Sequence, residues 1–360
     1  MMPKIQHLID LNDYPTEWWN KIIELGLDIK DHPQRYIKAC SGKIMATLFF
    51  EPSTRTQMSF QTAMIRLGGS IIGFDNPASS SVSKGENLKD TTKIVSNYAD
   101  IIIMRHTQEG AVKAAALSAD CPVINAGDGG HLHPTQTLTD LITLMEEKKT
   151  LGGHTIGLCG DLLNGRTVHS LCKALSCYHG NKFILISTKE LRLPSYIKEI
   201  LKNKGCEYTE VRTLEEAIGE LDVLYMTRIQ RERFLNEAEY FKQKNTYVLD
   251  CEKMKRAKKE LLVMHPLPRV DEIAVEVDDD TRAAYFRQAA YGVYARMALI
   301  MTILDNREPV DLLRGSIHEG HYCRNPRCIT NTELYLPKSF IKKNDTLICE
   351  YCDAKVENEQ

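Results

Sequence analysis

The chain has no apolar run approaching the roughly 18 residues that a membrane-spanning helix requires. Its amino terminus has no basic stretch followed by an apolar one, so no secretory signal is expected and the cytoplasm is the default location. It has almost no net charge, −2 over 360 residues, and therefore no general attraction to nucleic acid or to a membrane surface. It has neither the Gly-Lys-Ser/Thr of a P-loop nor a G-x-G-x-x-G behind a strand, so neither common nucleotide cradle is expected. Tryptophan occurs twice, as Trp18 and Trp19, and both read as packing residues. Of the 11 cysteines, seven are scattered through residues 40–251 without paired spacing. These read as reduced, buried, small apolar residues. The remainder is ordinary for a globular protein, 43% hydrophobic and 26% charged, and long enough for two or three domains with their own cores.

One stretch organises the rest, Lys43 to Leu67. Ile44 to Phe50 is a near-continuous apolar run, the pattern of a strand buried on both faces. Glu51-Pro52 stops it and Ser53 is a good N-cap. Phe60, Ala63, Met64 and Leu67 then give the apolar stripe of a helix. Ser53-Thr54-Arg55-Thr56 therefore sits where a strand turns into a helix. The free N–H groups of a first helical turn and the helix dipole favour an anion there. With three hydroxyls and a guanidinium around the same point, the turn reads as a phosphate cradle. An ordinary capped helix with a surface arginine is the alternative from this tetrapeptide alone.

The pattern continues as strands alternating with helices. Residues 16–30 form an amphipathic opening helix with Thr16 as cap. A short strand over Ser70–Phe74 leads into a polar, Ser-rich loop that ends on Lys84-Gly85. Arg105 directly follows a buried strand at 101–104. A helix covers roughly 108–118, and the strand Pro122–Ala126 leads into a Gly-rich loop carrying His131 and His133 before a helix begins at Pro134. In the second half, strands are expected at 154–159, 182–187, 207–211, 222–227, 246–250 and 261–264, and a long apolar helix at 281–304. Such alternation means parallel sheets with right-handed crossovers, whose ligands bind outside the carboxyl ends of the strands. Arg55, Arg105, His133, Arg166, Arg228 and His265 all fall at or near such ends. Surface arginines scattered at random would not track strand ends in this way. The fold class expected is α/β: two parallel-sheet domains with a cationic cleft between them, able to hold more than one anionic group.

The last four cysteines differ from the other seven. Cys323 and Cys328 form a C-x4-C knuckle, Cys349 and Cys352 a C-x2-C knuckle. Two close thiolate pairs suit a closed, tetrahedral, structural zinc site, whereas disulfides are not expected in a cytoplasmic protein. A segment this short has little core, so the metal is expected to supply most of its folding energy. No run of basic and aromatic residues suggests RNA binding.

The motifs FFEPSTRTQMSF, SKGENLKDT, MRHTQEGA, INAGDGGHLHPTQTLTDL, GDLLNGRTVHSL, LYMTRIQRER and MHPLPRVDEI, in that order, strongly resemble the aspartate carbamoyltransferase family over essentially residues 3–306. The resemblance implies transfer of a carbamoyl group from carbamoyl phosphate to L-aspartate, the committed step of pyrimidine synthesis, without metal or organic cofactor in the chemistry. It implies phosphate binding by Ser53, Thr54, Arg55 and Thr56, and Arg105 reaching both the phosphate and the carbonyl. His133 and Gln136 lie near the carbamoyl group, and Pro266 and Leu267 give it backbone contacts. Arg166, Arg228 and Gln230 hold the aspartate carboxylates. Ser80 and Lys84 reach in from a neighbouring subunit, which implies a homotrimer or an assembly of trimers. His133 is expected as a donor rather than a base, and the departing phosphate can take the amine proton.

Two positions depart from the commonest bacterial pattern. Ser83 stands where many relatives have a second lysine, and Asn164 where some have a tyrosine. The cysteine segment resembles the zinc domain of the bacterial regulatory chain, without the nucleotide-binding domain that normally precedes it. The expected division is a carbamoyl phosphate domain at 1–149, to which the helix 281–305 returns, and an aspartate domain at 150–306. A linker at 307–320 and a zinc-binding β domain at 321–360 complete it. An ornithine enzyme is disfavoured, because that family has a Cys-containing motif where this chain has HPLPR and lacks the Arg228-x-Gln230 clamp. A catalytically dead, zinc-dependent assembly or nucleic-acid-binding protein is disfavoured because all the motif residues are present.

Overall fold

Apolar strands that all run the same way need a helix to carry the chain back each time, and both main sheets are built so. The computed structural model describes residues 6–229, 243, 246–305, 311–318, 320–343 and 346–356. The chain divides into two compact units. One holds the residues up to Thr135 together with those from Val293 onward, the other Gln136–Gly292.

In the first unit, β1 (Ile44–Phe49), β2 (Ser70–Phe74), β3 (Ile101–His106) and β4 (Val123–Asp128) form a parallel sheet in the order β2-β1-β3-β4. The central strands are the apolar runs: Met45, Ala46, Leu48, Phe49 and all of Ile101 to Met104 are buried. The helices Thr54–Arg66, Leu88–Ser96 and Ala111–Ala116 make the crossovers. From β1 the chain moves outward to β2, then returns past β1 to β3. Strand order therefore reverses between β1 and β3, and the loops leaving their carboxyl ends part there to open a crevice. The opening helix, Thr16–Asp31, has Pro15 at its N-cap position, so Thr16 is its first residue rather than its cap.

The second unit repeats the device. β5 (Thr155–Cys159), β6 (Lys182–Ile186), β7 (Glu207–Val211), β8 (Val223–Met226) and β9 (Leu262–Met264) are all parallel, in the order β7-β6-β5-β8-β9. Here the order reverses between β5 and β8. Gly160, just past β5, has φ of +120°, and a Cβ on it would lie 2.3 Å from the Thr227 carbonyl oxygen. Only glycine lets the two loops meet so closely at the reversal. The strand expected at 246–250 does not form among the described residues; Leu249 makes an isolated bridge to Ile273. Tyr247 and Leu249 are instead buried in the unit's apolar core, a fate that alternating apolar residues do not distinguish from a strand.

The remaining strands are β10 (Ser316–Ile317), β11 (Ser339–Lys343), β12 (Thr346–Cys349) and β13 (Lys355–Val356), an antiparallel meander within the first unit. β10 lies inside the stretch expected as a linker. This lobe has no separate core. Its Cys328, Ile329, Phe340, Tyr351 and Val356 share one apolar cluster with Ala111, Val112, Ala114 and Ala115. Glu109 and Cys328 form a parallel bridge. The Glu109 N–H donates to the Arg327 carbonyl at 2.9 Å, and the Ile329 N–H donates to the Glu109 carbonyl at 3.0 Å. Among the described residues, no helix is long and apolar enough to cross a membrane.

Candidate active site and metal centre

The first unit places the expected phosphate turn at its strand-order reversal. The Phe50 N–H donates to the Arg105 carbonyl at 2.8 Å, tying the end of β1 to the end of β3. Ser53 occupies the N-cap position of the helix Thr54–Arg66 but makes no side-chain cap; its Oγ lies 3.1 Å from Thr56 Oγ1. No N-cap side chain covers the first-turn N–H groups, as an anion cradle requires. Arg55 is exposed and Thr56 buried.

Arg105 is only 8% exposed. Its Nη2 lies 3.0 Å from Glu51 Oε2, and its Nη1 donates to the Ala126 carbonyl at 3.3 Å. Nη1 also lies 3.3 Å from His133 Nε2. A guanidinium can only donate, so His133 Nε2 accepts in this arrangement. Arg105 Nε is buried with no hydrogen-bond partner among the described residues. Burial disfavours the Arg105 cation; Glu51 opposes that, and the nearby Arg55 charge adds to it. An anion arriving between the two arginines relieves their repulsion. Gly127, with φ of +123°, makes room for this cluster, since a Cβ there would lie 3.0 Å from Arg105 Nη1.

Ser80 and Lys84 stand apart from this cluster. Ser80 Oγ donates to the Pro77 carbonyl at 2.8 Å and accepts from the Val82 N–H at 3.3 Å, which shapes its own loop. Lys84 ends a single 3-10 turn, Ser81–Lys84, and is exposed. Among the described residues no hydrogen bond or ion pair joins either of them to Arg55, Arg105 or His133.

In the second unit, Arg166 opens the helix Arg166–Leu175 after β5, and Arg228 follows β8. Both are half-buried and flank the reversal of that sheet. Asn164 lies in the same turn and hydrogen-bonds Asp161, its N–H at 2.9 Å from Oδ1. Gln230 lies outside the described residues. Past β9, Pro266 and Leu267 are half-buried, and Leu267 has φ of +53° before a cis bond to Pro268.

His265 is not one of the site's cations. It is 2% exposed, its Nδ1 accepts from the Leu267 N–H at 2.8 Å, and its Nε2 meets Glu272 at 2.8 Å. It braces the backbone that presents Pro266 and Leu267. Counting cations at strand ends could not separate it from the arginines, because both ring nitrogens are used by residues further along the chain.

Gln136 lies in the first turn of the helix Pro134–Lys148, immediately after His133. Its Nε2 donates to Asp140 at 2.8 Å. Asp140 also accepts from Gln288 Nε2 at 2.7 Å and from the Tyr225 hydroxyl at 2.9 Å. With its amide nitrogen so engaged, Gln136 is left to present its carbonyl oxygen. Glu51, Gly127 and Asp140 escaped the sequence reading. Only Asp140 carried a local signal, its i, i+4 spacing from Gln136 on a helix.

The four clustered cysteines are buried and their sulfurs all lie within 4.8 Å of one another. Cys323 and Cys352 are 3.5 Å apart, Cys328 and Cys349 3.8 Å. A disulfide needs about 2.05 Å. Tetrahedral ligands at about 2.3 Å from a metal stand about 3.8 Å apart, so the thiol set fits a closed four-sulfur metal site.

Comparison with known proteins places the chain among families already described. Residues 6–146 match the family described as aspartate/ornithine carbamoyltransferase, carbamoyl-P binding domain, and residues 152–303 match its Asp/Orn binding domain. Residues 316–360 match the aspartate carbamoyltransferase regulatory chain, metal binding domain. An aspartate carbamoyltransferase catalytic subunit of Clostridium perfringens is 60% identical over 304 residues, 84% of this chain and 99% of that protein. Its counterpart in Finegoldia magna is 58% identical over 306 residues, covering 85% of this chain and 100% of that one. The catalytic subunit of M. jannaschii aspartate transcarbamoylase superposes with a TM-score of 0.80 at 45% identity, covering 85% of this chain and all of that one. The Trypanosoma cruzi enzyme with carbamoyl phosphate and aspartate bound gives a TM-score of 0.78 at 38% identity, over 83% of this chain and 97% of that one.

Proposed function

This chain belongs to the aspartate/ornithine carbamoyltransferase family, and on that premise we propose a division of labour for its residues. Its reaction is transfer of the carbamoyl group of carbamoyl phosphate to L-aspartate, giving N-carbamoyl-L-aspartate and phosphate in pyrimidine biosynthesis. A metal-binding lobe of the regulatory-chain type is fused at its carboxyl end. One observation carries the assignment of residues: each parallel sheet has a pair of arginines beside its own strand-order reversal, Arg55 and Arg105 in one, Arg166 and Arg228 in the other.

Ser53, Thr54, Arg55 and Thr56 hold the phosphate with the N–H groups of the helix start. Arg105 reaches from the phosphate to the carbonyl oxygen. Gln136, through its oxygen, and the carbonyls of Pro266 and Leu267 take the carbamoyl NH2. Arg166 and Arg228, with Gln230, take the aspartate carboxylates. The aspartate amine attacks the carbonyl carbon, and charge gathers on the carbonyl oxygen. Thr56, Arg105 and His133 face that charge as fixed donors. His133 does so once its ring is turned or protonated, because Arg105 claims its Nε2 as an acceptor in the ligand-free arrangement. The carbon–oxygen bond to phosphate then breaks, and the phosphate accepts the amine proton. Positioning and electrostatics supply the rate, and no step uses a further cofactor.

The metal of the lobe is zinc in this reading, held by Cys323, Cys328, Cys349 and Cys352 in a structural role. None of the eleven cysteines is joined in a disulfide, which suits a reducing cytoplasm. Ser80 and Lys84 serve the site of a neighbouring copy in a homotrimer; the exposed Lys84, unbonded to its own Arg105 cluster, supports this. Subunit mixing tests it. Lys84→Ala and Arg105→Ala proteins are each expected to be nearly inactive, and to regain activity when dissociated and reassembled together. If hybrids form by mass and no activity returns, both residues act within one chain and the shared site is wrong.

A further inference from the structure

Among the described residues, a contact at His131, which the proposed reaction does not use, joins the metal lobe to the loop that carries His133. β4 ends at Asp128, and the loop that follows reaches His133 within five residues. Asp128 is 1% exposed and staples this loop. Its Oδ1 accepts from the Leu132 N–H at 2.9 Å, and its Oδ2 accepts from the Gly110 N–H at 2.9 Å. Oδ2 also faces His131 Nδ1 at 3.1 Å. The other ring nitrogen, His131 Nε2, lies 3.1 Å from Asp353 Oδ2, and Asp353 directly follows Cys352 in the second knuckle. A ring between two carboxylates donates from both nitrogens. Burial alone would lower the pKa of His131, but Asp128 and Asp353 together raise it to about 10, so at neutral pH it is an imidazolium. The same loop carries the catalytic contacts: Gly127 lies against Arg105 on one side of Asp128, and His133 touches Arg105 on the other.

We propose that His131 is a positioning residue that ties the Cys349–Cys352 knuckle to the loop holding His133 and Arg105. Filling of the metal site thereby sets the geometry of the carbamoyl phosphate site within the same chain. The lobe so acts as a strut on the first unit's half of the reaction. This rests on the assignment of Arg105 and His133 given above. The contact is a specific one: elsewhere on the lobe, Gln108 and Thr332 are joined by an exposed hydrogen bond of 2.9 Å that touches none of the loop.

The test uses the full-length, metal-loaded protein. His131→Gln is expected to lower kcat on the order of tenfold and to raise KM for carbamoyl phosphate, with the aspartate KM and the metal content per chain unchanged. Asp353→Ala removes the same contact from the lobe side, and is read in the same way if His131→Gln fails to fold. Asp353→Asn keeps an acceptor for His131 and is expected to recover most of the loss. Thr332→Val, which breaks the remote lobe contact, is expected to leave kcat alone. In wild type, chelation should lower both carbamoyl phosphate affinity and kcat; in His131→Gln it should add little further loss, because the coupling is already cut. Wild-type kinetics in His131→Gln and Asp353→Ala would overturn the proposal, as would an equal loss in Thr332→Val. Arg105→Ala measured alongside separates the two levels: if it is active, the site assignment falls. If it is inactive while His131→Gln is normal, only the strut falls.

Discussion

The two sheets hold their arginines at equivalent places and by different means. In the first unit Arg105 is nearly buried and held by Glu51, Ala126 and His133. In the second, Arg166 and Arg228 are half-buried, one at a helix start and one in a loop. The reacting carbonyl needs donors fixed before charge develops, because only interactions that strengthen in the transition state raise the rate. In the proposed assignment Arg105 serves that carbonyl, whereas Arg166 and Arg228 face the carboxylates of aspartate, which are spectators and need only be held. Support differs too. The core of the first unit runs on into the metal lobe, while the second unit's core cluster is made of its own residues.

The widest separation between the halves should appear in kinetics. Arg105→Ala is expected to lower kcat by roughly 10²- to 10³-fold without loss of fold. Arg228→Ala should act mainly on the aspartate KM, raising it tenfold or more and leaving the carbamoyl phosphate KM nearly unchanged. Steady-state kinetics on both variants decides it, and equal changes in both Michaelis constants for Arg228→Ala would break the comparison.

Metal removal is expected to weaken one half only. Both tryptophans, Trp18 and Trp19, are buried in the first unit, so their fluorescence reports on that unit alone. Chelation should lower its urea midpoint by about 1 M or more. Amide exchange in β5 to β9 should barely change. Matching deprotection in both units would show that the lobe supports the whole chain rather than its own half.

Acid should separate the halves in the same direction. Burial pushes His7 and His106 of the first unit down to about 4. An unfolded histidine titrates near 6.5. Between those values the unfolded chain takes up protons that the folded unit refuses, so stability falls as pH drops from 6.5 toward 4. Each of the two contributes up to about 1.4 kcal/mol per pH unit. The raised His131 does not offset this, because its stabilisation is already complete below pH 6.5 and is lost only as pH rises toward 10. The tryptophan-monitored urea midpoint should therefore fall between pH 6.5 and 5, and less so in His7→Asn. The smallest expected effect belongs to the second unit. Tyr225→Phe removes one donor to Asp140 and should destabilise that unit by about 1–2 kcal/mol, with metal content unchanged.

The local grammar of the chain was open to reading. Apolar runs marked the central strands of both parallel sheets, though not β7, whose Glu207–Val211 is largely polar, and arginines at or near strand ends marked the proposed binding edge. The paired spacing of Cys323, Cys328, Cys349 and Cys352 marked the metal site. Each of these depends on residues a few positions apart, where periodicity and spacing carry the physics. The misread cases turned on partners that periodicity does not name, near or far in the chain. His265 looked like a site cation until Glu272 and the Leu267 N–H occupied its ring. Tyr247 and Leu249 looked like a strand until they proved to be core.

The sequence by itself determined which loops carry charge and that four thiols could share a metal. Strand order was the tertiary structure's to decide, and with it the reversals between β1 and β3 and between β5 and β8 that single out two loops of each sheet. It decided, too, that the lobe shares the first unit's core, and that His131 meets Asp353 across 222 residues of chain. Adjacency of that kind is set by how buried faces pack against one another. A hydrophobic pattern says that a face is buried, not against what.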